Sequence, residues 1–208
     1  MSDILLHLAP HIAASLLYAA LGLHFWHTRW HGSGKPLAPL PMQQWERAAI
    51  AATLVIHGMG VYEALFATGT LRFSFSLAAS LMLWLAVLIY WLESFQSRMD
   101  GMQPMVLPLA AISSILPAIF PNTHEIGHAS TWGFKVHFLT AMLAYSLFTL
   151  SAVHALFMSF IEQKLHRKAI NKHQTSLPSI LAMESVLFRM IGSAFLLLTV
   201  TLISGLLF

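Results

Sequence analysis

Twelve histidines in a chain with no cysteine carry whatever chemistry this sequence has. The stretch from Trp132 to Phe160 is the most informative: an apolar run with Trp132, Phe134 and His137 at its start and His154 further on. At about 1.5 Å of rise per helical residue, the roughly 25 residues after Lys135 outreach a hydrocarbon core of about 30 Å. A polar imidazole is expensive in lipid, so a histidine on such a helix should point into the protein and find a partner or a ligand. Neutral imidazole is a common axial ligand of haem iron, and Trp132 and Phe134 could cover a porphyrin face. The competing account of His137 is a histidine that merely snorkels to the interface.

His57 falls halfway along another apolar run, V-I-H-G-M-G-V-Y-E, where Gly58 and Gly60 would admit a flat ligand or a second helix close to the backbone. Either it serves a ligand or it ties two helices by a hydrogen bond to a Ser or Thr. Glu63, six residues on, falls about 240° round the helix and does not share its face. It is either a neutral, hydrogen-bonded group or a counter-charge for Arg72. His124, Glu125 and His128 fit the His-Glu-x-x-His formula of zinc proteases. They lie in a short loop after Pro121, however, and Gly127 weakens any helix there, so a solvated or haem-adjacent loop is the better reading. His7 and His11 are four apart near the N-terminus. His24, His27 and His31 form a stripe beside Arg29 that could meet the carboxylates of an anionic ligand or make an interfacial rim. The rim is the expected role, for His154 also, while His166 and His173 are expected in solvated loops.

The elements that must carry these residues follow from composition. Hydrophobic residues make up 57% and charged residues 9%, too few charges to cover a soluble domain, so the chain is expected in a membrane. Lys+Arg 11 against Asp+Glu 8 fall in loops, where they carry topology and not an affinity for nucleic acid. Without cysteine there is no disulfide, thiolate metal site or thioether-attached cofactor. Six apolar segments are predicted, Ile4 to Phe25, Ala48 to Phe66, Phe75 to Leu92, Met105 to Phe120, Val136 to Ile161 and Val186 to Leu207, as one all-α transmembrane bundle covering residues 1–208. The N-terminus lacks the positive region of a cleavable signal, so the first helix is expected to be retained. Pro104, Pro108 and Pro117 should kink or break the fourth segment. Arg29, Lys35, Arg47, Arg98, Lys164, Arg167, Lys168 and Lys172 share one side, while Arg72 and Lys135 share the other. This asymmetry predicts an outside N-terminus. Trp26, Trp30, Trp45 and Trp91 fall near segment ends as interfacial anchors, and the stiff G-S-G-K-P-L-A-P-L-P connector suggests no function.

The segment W-G-F-K-V-H-F-L-T-A-M-L-A-Y-S-L-F resembles the Trp-x-x-x-x-His, Leu-x-Tyr helix of the cytochrome c assembly membrane proteins, the CcsA, CcmC and HemX-like group, with the HemX-like or YpjD-like branch nearest. L-R-F-S-F-S-L-A-A-S-L-M-L-W-L-A-V-L-I-Y-W-L-E and F-R-M-I-G-S-A-F-L-L-L-T-V-T-L-I-S-G-L-L-F resemble the preceding and following helices, so the likeness covers roughly residues 50 to 208. The resemblance implies a haem-handling protein of the bacterial inner membrane, with non-covalent haem b, His137 as axial ligand on the outer side, and other cytochrome c maturation proteins as partners. It also implies further helices and a second outward histidine after Phe208, so a complete two-histidine site is not expected within these residues. His57 is the candidate inner or transit ligand. No bond-making chemistry is expected. Two other readings stand beside it. One is a non-haem assembly or regulatory partner whose Lys164 to Lys172 loop meets a cytoplasmic protein. The other is a b-type electron-transfer cytochrome, which would need a partner for His57 at matched depth.

Overall fold

The computed structural model describes residues 2–30, 42–66, 71–96, 101–121, 124–125, 131–167 and 180–206. Six α-helices occur among them: α1 (Ser2–Phe25), α2 (Gln44–Phe66), α3 (Phe75–Glu93), α4 (Gln103–Ile119), α5 (Trp132–Arg167) and α6 (Ile180–Gly205). A π-helical turn, Trp26–Trp30, extends α1. All six predicted segments are helical, and α5 begins four residues before its predicted start. Stretches within α1 and its extension, α2, α3, α5 and α6 are long and apolar enough to cross a membrane, whereas α4 is shorter.

Sequence dictates the helix ends locally. Ser74 caps α3 by accepting from the Leu77 amide at 3.1 Å, which satisfies a donor that the first turn leaves unpaired. Proline at the start of α4 costs nothing, because that amide has no intrahelical partner. Of the two expected outcomes, a kink or a break, the break does not occur: α4 is one continuous helix with Pro108 and Pro117 inside it. Neighbours engage its carbonyls: Ser15 donates to Ala111 O at 2.9 Å and His11 to Ser114 O at 3.1 Å. These bonds tie α4 to α1; the carbonyls that Pro108 and Pro117 deprive of an amide donor are those of Pro104 and Ser113, four residues back.

The packing order is α1 against α2 and α4, α3 against α2, α4 and α5, and α6 against α5. The main core joins Tyr18, Phe25, Ile50, Leu54, Tyr90, Leu107, Leu150 and Phe157, while a second cluster at the opposite end gathers Val61, Leu71, Leu77, Leu81 and Met142. Beside the second cluster lies an antiparallel pair of two-residue strands, β1 (Arg72–Phe73) and β2 (His124–Glu125), in register Arg72↔Glu125 and Phe73↔His124. Neither strand was expected. They join the connection before α3 to the one after α4, and this end is called the strand end below.

At the other end Gly101 adopts φ +101°, and an added Cβ would lie 2.9 Å from the Phe157 ring. Its carbonyl also accepts the Trp30 indole N–H at 3.2 Å. Substituting alanine there forces a side chain into the left-handed region, and a loss of about 1–3 kcal/mol is expected. A lower unfolding midpoint in detergent for Gly101→Ala checks it.

Candidate functional site

His137 begins the second turn of α5 at the strand end, half-buried. Its Nδ1 lies 2.9 Å from the Ser204 hydroxyl of α6. One turn deeper, Thr201 and Thr140 hydroxyls meet at 3.2 Å, so α5 and α6 share a short polar seam. An added Cβ on Gly205 would come within 3.3 Å of His137 Cε1, so the glycine lets the ring lie close against α6. The aromatics predicted to join His137 have these positions. Trp132 is 79% exposed at the helix start. Phe134 stacks on Phe138 at 6.5 Å and leans on the second core cluster, and Phe73 from β1 meets Phe138 edge-on at 5.7 Å. Phe73 and Phe138 were missed by the sequence reading. The i, i+4 spacing of Phe134 and Phe138 could have signalled the pair; nothing in the sequence signalled Phe73, which arrives through β1.

His57 is fully buried between three helices. Its Nε2 is 2.9 Å from Ser80 Oγ of α3 and its Nδ1 3.4 Å from the Tyr18 hydroxyl of α1. The flanking glycines receive helices: Gly58 faces Trp84 of α3, whose indole donates to Leu54 O at 2.8 Å, and Gly60 faces Pro10 and His11 of α1. This geometry matches the helix-tying account of His57, with hydroxyl partners, and any ligand role requires Ser80 or Tyr18 to release a ring nitrogen. Ser80→Ala is expected to cost about 1–3 kcal/mol, because it leaves a buried imidazole nitrogen unsatisfied. Thermal unfolding in detergent checks this, with His57→Leu/Ser80→Ala expected to lose less than the two single losses added together.

The remaining histidines separate by partner. His154, expected at the rim, is instead only 2% exposed, with Nε2 3.0 Å from Met183 O and Nδ1 3.0 Å from Met102 Sδ. The inward-facing side of α5 at that level is occupied by α4 and the start of α6, which leaves no rim for it to reach. His11 is likewise buried, on Ser114 O. His24 bonds Glu46 Oε1 at 3.0 Å, while Arg29 meets Glu46 Oε2 at 2.8 Å and the Gln43 amide donates to the same oxygen at 2.7 Å. The carboxylate that the His24 and Arg29 stripe was suited to meet is thus the chain's own Glu46, 2% exposed. His124 is exposed and in a strand, not the firm helix a zinc protease needs. His31, His128 and His173 lie outside the described residues, as do Lys35, Arg98, Lys168 and Lys172. Among the described residues no group of three or more His, Asp or Glu side chains could hold a metal ion.

Five membrane-length apolar helices with polar side chains turned into helix seams define a polytopic membrane protein. The profile of the cytochrome c assembly protein family matches residues 45–208, and the chain belongs to that family. It is similar to inner membrane protein YpjD of Escherichia coli K12, 25% identical over 167 residues, covering 78% of this chain and 63% of that protein. The YpjD proteins of the O6:H1 and O157:H7 strains match to the same extent. The chain therefore spans less than two thirds of the length of the curated relatives it matches. No solved structure shows a significant match. The helices and the relatives together make this a multi-pass protein of the bacterial inner membrane.

Proposed function

We propose that this chain handles haem in cytochrome c biogenesis, holding haem b non-covalently at the strand end, with His137 as an axial ligand and the strand end facing outside. The observation that supports this best is the state of His137: a half-buried imidazole oriented by a hydroxyl on a neighbouring helix, in a chain of the cytochrome c assembly family. Ligating histidines characteristically have their second ring nitrogen fixed in this way. Trp132, exposed, and Phe134, on the aromatic ladder with Phe138, would supply apolar surface near the start of the same helix. Haem bound there would supply an iron centre open to a further ligand. The chain itself would contribute ligation, orientation and an apolar surround, with no bond made or broken by its side chains.

The proposed orientation rests on the cations. Arg29 and Arg47 lie at the end opposite the strands and Arg72 and Lys135 at the strand end, which agrees with a cytoplasmic side opposite His137. Partners would then be lipid, haem and other maturation proteins, with nucleic acid not among them. A second reading, a non-haem assembly partner, draws support from His11, His57 and His154, all three of which tie helices together. The deciding experiment is the visible spectrum of the protein purified in detergent, oxidised and dithionite-reduced, with a pyridine test for haem type. A Soret band with b-type reduced bands is expected. A flat spectrum, both in this chain and in one extended past Phe208, would favour the assembly-partner reading.

A further inference from the structure

We infer that Ser204 is the positioning residue of His137: its hydroxyl fixes the imidazole as the Nδ1–H tautomer and so presents Nε2, with its lone pair, as the ligating nitrogen. The inference rests on the reading of His137 as a haem ligand and adds a residue on another helix to that site.

The argument is proton bookkeeping at one hydroxyl. A serine hydroxyl carries a single proton and can accept through its lone pairs. Ser204 Oγ lies 2.9 Å from the Thr201 carbonyl, one turn back on α6, and donation to that carbonyl is the bond a serine within a helix characteristically makes. The same oxygen lies 2.9 Å from His137 Nδ1, and with its proton used it can only accept from that nitrogen. With the hydroxyl proton on the Thr201 carbonyl, Nδ1 carries the imidazole proton, and in a neutral ring Nε2 does not.

Register and space keep this arrangement in place. α5 and α6 are antiparallel, and His137 opposite Ser204 is followed by Thr140 opposite Thr201, so the two polar pairs use the same alignment of the helices. Thr140 in turn donates to the His137 carbonyl at 2.9 Å, which ties the backbone of the histidine to the seam. Gly205 removes the one side chain that would press on Cε1. Much of α6 beyond this seam is exposed, Phe195, Leu196, Leu202 and Leu206 among its outward residues. The seam is thus the place where α6 makes specific polar contact with the site.

The test reads the tautomer directly and does not depend on haem. Protein labelled with ¹⁵N in its imidazoles is prepared in detergent at a pH where histidine is neutral, and the His137 resonances are identified by their loss in His137→Ala. The expected spectrum shows Nδ1 protonated and Nε2 bare in the wild type, a return to the ordinary tautomer mixture in Ser204→Ala, and restoration in Ser204→Thr. A wild-type ring protonated at Nε2, or a ring unchanged by Ser204→Ala, overturns the inference. Titration with hemin then separates the two layers. Ser204→Ala is expected to weaken binding about 10–100-fold, the usual cost of losing such an orienting partner. Protein that takes up no hemin yet shows the Ser204-dependent tautomer overturns the haem reading alone and supports the positioning role.

Discussion

Replacing His137 with alanine is expected to abolish the Soret band of the purified protein while leaving its helical circular dichroism unchanged. The imidazole is half-buried and bonds a serine hydroxyl across the helix seam, so its removal takes that neutral hydrogen bond from the fold. Such a bond contributes about 0.5–1.5 kcal/mol. An axial ligand would be a different matter, because without it the iron would keep no protein bond from this helix. Loss of colour without loss of fold is the signature of a ligand; equal haem content in variant and wild type would reject the assignment. His57→Leu serves as the contrasting case, since it breaks contacts to both Ser80 and Tyr18 in the core. It should lower stability first, with any haem loss following from that.

Glu46→Ala should be the most destabilising single change at the opposite end of the bundle. The Arg29 and Glu46 side chains are 5% and 3% exposed, and the carboxylate also takes bonds from His24 and the Gln43 amide. Removing one partner of a buried pair strands the other charge, at a cost of about 3–5 kcal/mol. The guanidinium is poorly placed to recover, because its Nε already has no hydrogen-bond partner. Unfolding by added SDS or by heat should show the loss. Arg29→Met combined with Glu46→Leu should recover most of it, since an apolar pair of similar volume avoids both desolvation costs. If the double variant is as unstable as Glu46→Ala, the carboxylate matters through His24 and Gln43 and not through the ion pair.

These two sites differ in how far the sequence could announce them. Helices were legible because membrane spans need long apolar runs, and each predicted segment became one, down to the shared start of α3 at Phe75. His137 stood out as a candidate because it sits near Trp132 and Phe134 within a recognisable run. Glu46 was not, since a lone acidic residue at a helix start usually only complements the helix dipole; its role depends on α1 continuing past Phe25 into the π-helical turn that delivers Arg29. His154 was misplaced for a related reason. Depth along a helix can be counted from sequence, but whether a neighbour covers that depth cannot, and Met102, just before α4, lies at the required level. His11 escaped because its acceptor lies 103 residues away on a proline-bearing helix. The strands, at two residues each, carry no periodicity at all.

The β1 and β2 pairing has a bearing on how this protein is made. The two strands flank α3 and α4, and their hydrogen bonds close a loop containing both helices. α3 leaves the strand end and α4 returns to it, so the strands can meet only if both helices have been threaded through the bilayer. α4 is the shortest of the six and the most burdened with proline, hence the helix most prone to stall during insertion. A stalled α4 would strand β2 on the wrong side of the membrane and leave β1 without a partner. The clasp is thus expected to close only on chains in which both helices have been inserted, and it closes at the end of the bundle that holds His137.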